Sequence, residues 1–175
     1  MIKKSLFLFS LVSFVATPGF ANDEQDSEYK AHLMPINNSN VHANVEVEVE
    51  NRKLEIEIKA RGLESGKPHP QHIHGFSGMD RDSKCPDLSS DVDGDGIITI
   101  TEAGSVFGPI ILPLVPFNLV DVNSDLDYEA KFTVDLSSMP ELEKLTVVLH
   151  GMSVNGEYIP SLPVACGELI LQKDD

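Results

Sequence analysis

Two histidines one residue apart, His72 and His74, are the strongest candidates for chemistry in this chain. Successive side chains of a β-strand point to opposite faces, so on an extended segment these two point the same way and could hold one metal ion. A third histidine, His150, ends an apolar run far along the chain. Three imidazole ligands suit copper or zinc, so the sequence predicts a transition-metal site formed by His72, His74 and His150.

An acidic segment, residues 91–102 (DVDGDGIITITE), matches the twelve-residue calcium loop of EF-hand proteins and is termed the acidic loop. Calcium takes about six to eight oxygen ligands, and this spacing supplies carboxylates, a carbonyl and a hydroxyl. Gly96 allows the sharp turn at the sixth position. The flanking segments contain prolines and glycines, so no good helix is expected beside the loop, and a plain acidic turn is the alternative. The predicted calcium ligands are Asp91, Asp93, Asp95, Ile97 through its carbonyl, Thr99 and Glu102.

The first 21 residues have the three-part pattern of a secretory signal peptide. Lys3 and Lys4 give a basic start, and residues 6–16 form an apolar run too short to span a membrane. Small residues precede a cleavage site after Ala21. We therefore expect a periplasmic or secreted protein without membrane attachment after cleavage; an N-terminal membrane anchor is the alternative. Residues 22–28 are polar and are expected to form a flexible tail.

The remaining chain of about 154 residues is strongly acidic. Without Lys3 and Lys4 it carries 11 basic and 28 acidic residues, a formal net charge of −17. Such a charge argues against nucleic acids and anionic membranes as partners and favours metal cations.

The chain contains two cysteines, Cys85 and Cys166. In an exported protein an even number of cysteines is typical of a disulfide, and two free thiols are the alternative. A disulfide between them would close a loop of about 80 residues and, in the loop-entropy model, stabilise the fold by about 4–5 kcal/mol.

Apolar and polar residues alternate along several segments of the chain. Residues 45–50 and 54–60 alternate strictly around a short polar turn, which predicts a β-hairpin. No long segment has helical periodicity, and residues 80–123 are expected to form a long loop. The pattern predicts an all-β sandwich or barrel in one domain, residues 29–173, with the acidic loop inserted. Further strands are predicted at residues 29–36, 71–76, 128–136, 145–149 and 164–171.

Three segments resemble the copper/zinc superoxide dismutase family, in the same order along the chain. Residues 62–74 (GLESGKPHPQHIH) are similar to its segment G-L-x-x-G-x-H-G-F-H-V-H. Residues 146–150 (TVVLH) are similar to V-V-x-H, and residues 162–169 (LPVACGEL) to L-A-C-G. The resemblance implies a Greek-key β-sandwich or barrel, with copper held by the three histidines named above. It also implies a Cys85–Cys166 disulfide and a bracing role for His69, for which direct ligation is the alternative.

The chain departs from that family at the zinc half of the site. Ile110 stands where the family has the histidine that bridges copper and zinc, and the zinc ligands that follow have no counterpart. Pro163 occupies the place of an arginine that guides superoxide. We therefore expect a metal-binding protein of this fold without efficient dismutation. The alternatives are a copper-only superoxide dismutase and a non-enzymatic binding or adhesion module, since CHRD modules share the fold and a similar H-I-H-G.

Overall fold

The strands form one curled antiparallel sheet, which confirms the prediction of an all-β protein. The computed structural model describes residues 26–51, 53–121 and 123–173, so the expected signal peptide lies outside the described residues. The order across the sheet is β5-β4-β7-β8-β1-β2-β3-β6, and β9 pairs with β1. Short 3₁₀ helices span Leu88–Ser90, Leu136–Ser138 and Leu142–Lys144. The strands are β1 (Ser27–Pro35), β2 (His42–Glu50), β3 (Lys53–Arg61), β4 (Gln71–His74), β5 (Ile110–Pro113), β6 (Asp125–Thr133), β7 (Thr146–Val154), β8 (Glu157–Glu168) and β9 (Ile170–Leu171).

The hydrophobic core lies inside the curl of the sheet. Across β2 and β3, Val45 pairs with Ile58 and Val47 pairs with Ile56, and all four side chains are buried. Each such side chain contributes about 1.5–3 kcal/mol relative to an exposed one. Asn51 begins the connecting turn with a φ of 48°, a left-handed conformation that asparagine tolerates. The hairpin predicted from strict alternation is therefore confirmed.

The segment between β4 and β6 is more ordered than the sequence predicts. It contains a helix, α1 (Ile100–Phe107), so the expectation of no helix beside the acidic loop is wrong. Thr99 and Glu102 form a capping box at the start of α1, each side chain accepting a hydrogen bond from the backbone N–H of the other. Ala103 and Phe107 are buried against the sheet, and this packing stabilises a helix that is only eight residues long.

Several strand boundaries also differ from expectation: β6 begins at Asp125, β7 continues to Val154 and β8 begins at Glu157. Ser27 and Glu28, expected in the tail, belong to β1 and pair with Val49 and Glu48 of β2. The four-residue strand β5 was not predicted, because the run that forms it is short and ends in a proline. β5 pairs with β4 and thereby lies beside the histidine-bearing strand.

Candidate metal centre

Strands β4 and β7 bring three histidines together on the outer face of the sheet. Ile73 of β4 pairs with Val147 of β7, and both side chains are buried in the core. The neighbouring His72 and His74 therefore point outward, as strand alternation requires. His150 joins them from β7, where the register shifts around it. We term His72, His74 and His150 the histidine triad.

The ring nitrogens of the histidine triad converge. One nitrogen of each ring lies within 4.8 Å of the other two, and the ring centroids of His72 and His150 are 5.0 Å apart. The buried atoms His72 Nδ1, His74 Nε2 and His150 Nε2 have no hydrogen-bond partner among the described residues. Leaving a buried polar atom without a partner costs about 1–3 kcal/mol. A metal ion that accepts the three lone pairs accounts for all three atoms at once.

The opposite nitrogens of two triad members are hydrogen-bonded to backbone carbonyls. His74 Nδ1 lies 2.9 Å from the oxygen of Gly108, and His150 Nδ1 lies 3.0 Å from the oxygen of Ser161. Because a carbonyl oxygen can only accept, each Nδ1 carries the proton and each Nε2 presents a lone pair to the centre of the triad. These bonds orient the rings and set the tautomer that metal ligation requires.

Burial keeps the triad imidazoles neutral. Desolvation, reinforced by His72 and His74, lowers the pKa of His150 to about 3. Desolvation, reinforced by His74, lowers the pKa of His72 to about 4. The pKa of His74 is also lowered by its burial, against the hydrogen bond to Gly108. Neutral imidazole is the form that binds metal, so the triad is competent to bind at neutral pH.

These pKa shifts predict that the metal-free protein loses stability in acid. In the unfolded chain histidines take up protons near pH 6.5, whereas in the folded protein His150 and His72 stay neutral to about pH 3 and 4. The unfolded state therefore binds more protons between these values, and the free energy of unfolding falls as the pH is lowered below about 6.5. Urea denaturation of the metal-free protein between about pH 5 and 7 measures this slope. In a His150→Phe variant the slope should be shallower, and an unchanged slope would exclude His150 as its source.

Two phenylalanines that sequence reasoning missed pack against the triad. The ring centroid of Phe107, the last residue of α1, lies 4.4 Å from that of His74. The ring centroid of Phe117 lies 5.6 Å from that of His72. No spacing in the sequence relates either residue to a histidine, because both reach the triad only through the fold of the long segment. Their rings cover part of the triad with apolar surface and so limit its contact with water.

His69, expected to brace the site, lies outside the triad. Its ring is buried, with Nδ1 3.0 Å from the oxygen of His150 and Nε2 3.1 Å from the oxygen of Glu64. The ring of Tyr158 packs edge-on against it, with the centroids 5.9 Å apart. Both ring nitrogens of His69 thus face backbone oxygens. The His69 side chain therefore connects the segment before β4 to the backbone of His150 in β7.

The acidic loop brings together three of its six predicted ligands. The carboxylates of Asp91, Asp93 and Asp95 each place an oxygen within 4.8 Å of the other two. Backbone N–H groups of the loop donate to all three carboxylates, and one of these donors is Ile97, to Asp95. The loop is therefore folded tightly around a cluster of negative charge.

Glu102, the predicted closing ligand, is hydrogen-bonded across the loop. One carboxylate oxygen accepts from the N–H of Val92, and the other accepts from the N–H and the hydroxyl of Thr99. These hydrogen bonds, those from Thr99 above all, lower the pKa of Glu102, which keeps the carboxylate charged. Glu102 thus joins the start of α1 to the first half of the acidic loop.

A disulfide joins Cys85 to Cys166, which confirms the expectation from the cysteine count. Cys166 lies on β8 and packs in a small buried cluster with Ile98, Ala103 and Phe107. The disulfide therefore fastens the segment that carries the acidic loop to the sheet, close to the residue that packs on His74.

No helix in the described part of the chain is long and apolar enough to cross a membrane. Comparison with protein-family models gives no match for this chain, and comparison with curated proteins gives none either. The function must therefore be inferred from the chemistry of the histidine triad and the acidic loop.

Proposed function

We propose that this protein is an exported metal-binding protein that holds copper in the histidine triad and calcium in the acidic loop. The observation that carries the proposal is the set of three buried ring nitrogens that lack hydrogen-bond partners and face one another. Three neutral imidazoles suit copper or zinc, and copper(II) is the more strongly bound of the two at a given site. Clustered carboxylates suit calcium.

The strand arrangement supports a superoxide-dismutase-like Greek-key fold. The chain passes through β1, β2 and β3 as neighbours, crosses to β4, and later returns with β6 beside β3. This crossing leaves β4 next to β7, so the two histidine-bearing segments that resemble that family lie side by side. The triad members correspond to the family's copper ligands.

Two positions beside the triad argue against efficient dismutation. Pro163, in the place of the family's guiding arginine, lies opposite His150 in the strand register, so an apolar ring stands where a cation is needed. Ile110, in the place of the bridging histidine, pairs with His74. The chain also carries a net charge of −15, which repels an anionic substrate. The proposed role is therefore copper binding or buffering outside the cytoplasm.

A copper-only superoxide dismutase is the second candidate. It is favoured by the partial exposure of His72, the one triad member that is not fully buried, since a small substrate would need such an opening. In that case the acidic loop would support the site in place of a zinc-binding loop.

Metal loading followed by a superoxide assay separates these candidates. The mature protein is expected to bind one equivalent of copper(II) in the triad and to remove superoxide far more slowly than the diffusional range of about 10⁸–10⁹ M⁻¹s⁻¹. Rates in that range would establish the dismutase instead. If no copper is bound, the proposal is wrong, and a non-enzymatic binding or adhesion module remains.

Helix α1 would connect the calcium loop to the triad. Glu102 belongs to the acidic loop and lies in the first turn of α1, whereas Phe107 ends the helix and packs on His74. Gly108, which follows the helix, accepts the hydrogen bond from His74. A calcium ion bound to Glu102 at the start of α1 would therefore also restrict the imidazole of His74, which contacts the other end of the helix.

Calcium is expected to raise the melting temperature of the protein. An ion present at a hundred times its Kd adds about 2.7 kcal/mol to the free energy of unfolding, which for a chain of this size corresponds to about 5–10 °C. Asp93→Ala removes one of the three clustered carboxylates and should abolish this gain, as measured by thermal denaturation with calcium and with chelator. Asp121→Ala should keep the gain, because Asp121 lies outside the acidic loop, where its carboxylate accepts hydrogen bonds from the backbone N–H groups of Asn123 and Asp125. An equal calcium response in both variants would contradict the assignment.

A further inference from the structure

A groove of about 480 Å³ crosses the outer face of strands β1, β2 and β3, away from the histidine triad. Its lining includes His32, His42 and Met34, which the proposed function does not use. Leu33 and Ala43 pair across β1 and β2, and both point into the core. The residues on either side of this pair therefore point outward, into the groove.

These three side chains line one groove where the pairing of β1 with β2 ends. His32 pairs with Asn44, and Met34 and His42 flank the next pair, Leu33 and Ala43. Beyond that pair β1 leaves β2, and Met34 pairs with Cys166 of β8. Opposed Cβ atoms are about 4.5–5.5 Å apart, and diagonal neighbours are about 7–8 Å apart. Histidine and methionine side chains are long enough to close these gaps, so two imidazoles and a thioether can meet over the groove.

His32 is held in a tautomer suited to metal ligation. Its Nδ1 lies 2.7 Å from the side-chain oxygen of Asn44. An amide oxygen only accepts, so Nδ1 donates this hydrogen bond and Nε2 is the nitrogen left to bind a metal. Met34 is 60% exposed, although methionine usually fills cores, and its thioether is a soft ligand. The groove therefore presents nitrogen and sulfur donors to solvent.

The charges around the groove disfavour a divalent ion more than a monovalent one. Among the described residues no carboxylate lines the groove, whereas Lys59 and Arg61 do. Lys59 is paired with Glu57 at 2.5 Å, and Arg61 lies opposite Asp125 in the register, so both cations are partly offset. Lys59 and Arg61 repel a divalent ion more strongly than a monovalent one, and a thioether suits copper(I).

The geometry points to a second metal site in this groove, in which His32, Met34 and His42 bind copper(I). In the sheet, β8 separates the β1–β2 pair from the β7–β4 pair that carries the triad. At about 4.8 Å per strand the two sites lie about 14 Å apart along the sheet, so neither shares a ligand with the other. The groove site captures cuprous copper at the surface and does not depend on what the triad binds.

Silver(I), a diamagnetic stand-in for copper(I) that does not change oxidation state, tests the site directly. The protein is titrated with silver(I) while the methionine methyl groups are followed by ¹H–¹³C NMR. The methyl signal of Met34 is expected to shift and saturate at one equivalent, whereas that of Met79, which is 63% exposed, stays in place. An unmoved Met34 signal, or equal shifts of both signals, would overturn the proposal.

Copper(I) competition against bicinchoninate separates this site from the triad. Met34→Leu and His42→Ala are each expected to weaken the groove site at least about tenfold, since even groups that only orient a ligand cost this much. Met79→Leu is the matched control and should change nothing. A His72→Ala/His150→Ala variant should keep the groove site. If that variant binds no copper(I) while the native protein binds one equivalent, the groove proposal is wrong. If the native protein's equivalent of copper(I) is instead lost in Met34→Leu, the groove proposal stands, and copper(II) loading tests the triad separately.

Discussion

Replacing His150 with alanine is expected to lower the affinity of the protein for zinc(II) and copper(II) by more than about a hundredfold. His150 Nε2 is one of three converging nitrogens, and its ring is almost fully buried, so alanine leaves a cavity where the ligand stood. Loss of a group that only orients a metal ligand already costs about 10–100-fold in affinity, and loss of a ligand should cost more. Competition with a chromophoric chelator measures the change.

His42→Ala is the matched control for this substitution. It makes the same change at a histidine on the outer face of β2, outside the triad. The affinity for zinc(II) should remain that of the native protein, because His42 is not one of the three histidines whose nitrogens converge. Circular dichroism of both variants verifies that the fold is retained. Native zinc affinity in His150→Ala, or equal losses in the two variants, would contradict a metal site in the triad.

Loss of the Cys85–Cys166 disulfide is expected to lower the free energy of unfolding by about 4–5 kcal/mol, because the bond restricts the unfolded chain. The two cysteines lie 81 residues apart, so the disulfide closes a long loop. Its loss also frees the segment that carries the acidic loop from β8. Guanidinium denaturation of a Cys85→Ala/Cys166→Ala variant measures the change.

Reductant provides the internal control for this prediction. Added to the native protein it should reproduce the loss in stability, and added to the double variant it should do nothing. A loss below about 1 kcal/mol would show that the unfolded chain is not restricted in the way that the loop-entropy model assumes.

The strands could be predicted from the sequence because each has one buried face. The alternation of residues 45–50 and 54–60 fixes both the strand type and the side that faces the core, and Val47 and Ile56 are buried as expected. The same rule of alternation placed His72 and His74 on one face, on either side of the buried Ile73. Patterns of period two are local, so the sequence alone is enough to recognise them.

Helix α1 could not be predicted with the same rule, because tertiary contacts stabilise it. Eight residues that include Gly104 and Val106 have weak helical preference, and the burial of Ala103 and Phe107 against the sheet compensates for it. The capping pair at Thr99 and Glu102 is visible in the sequence, but the same two residues also fit the pattern of calcium ligands.

The complete candidate site depends on strand order, which hydrophobic periodicity does not reveal. A site of three histidines requires β4 to lie beside β7, an arrangement that a β-sandwich allows and that the folded sheet shows. Phe107 and Phe117 reach the triad through the fold of the long segment, so no pattern of spacing could identify them.

Anomalous diffraction at the copper edge, from crystals of the protein loaded with one equivalent of copper(II), tests the central claim most directly. A metal-binding triad predicts a single strong peak in contact with His72 Nδ1, His74 Nε2 and His150 Nε2, the three nitrogens that lack other partners. A copper peak elsewhere, with these three nitrogens bound to water or to protein groups, would contradict it.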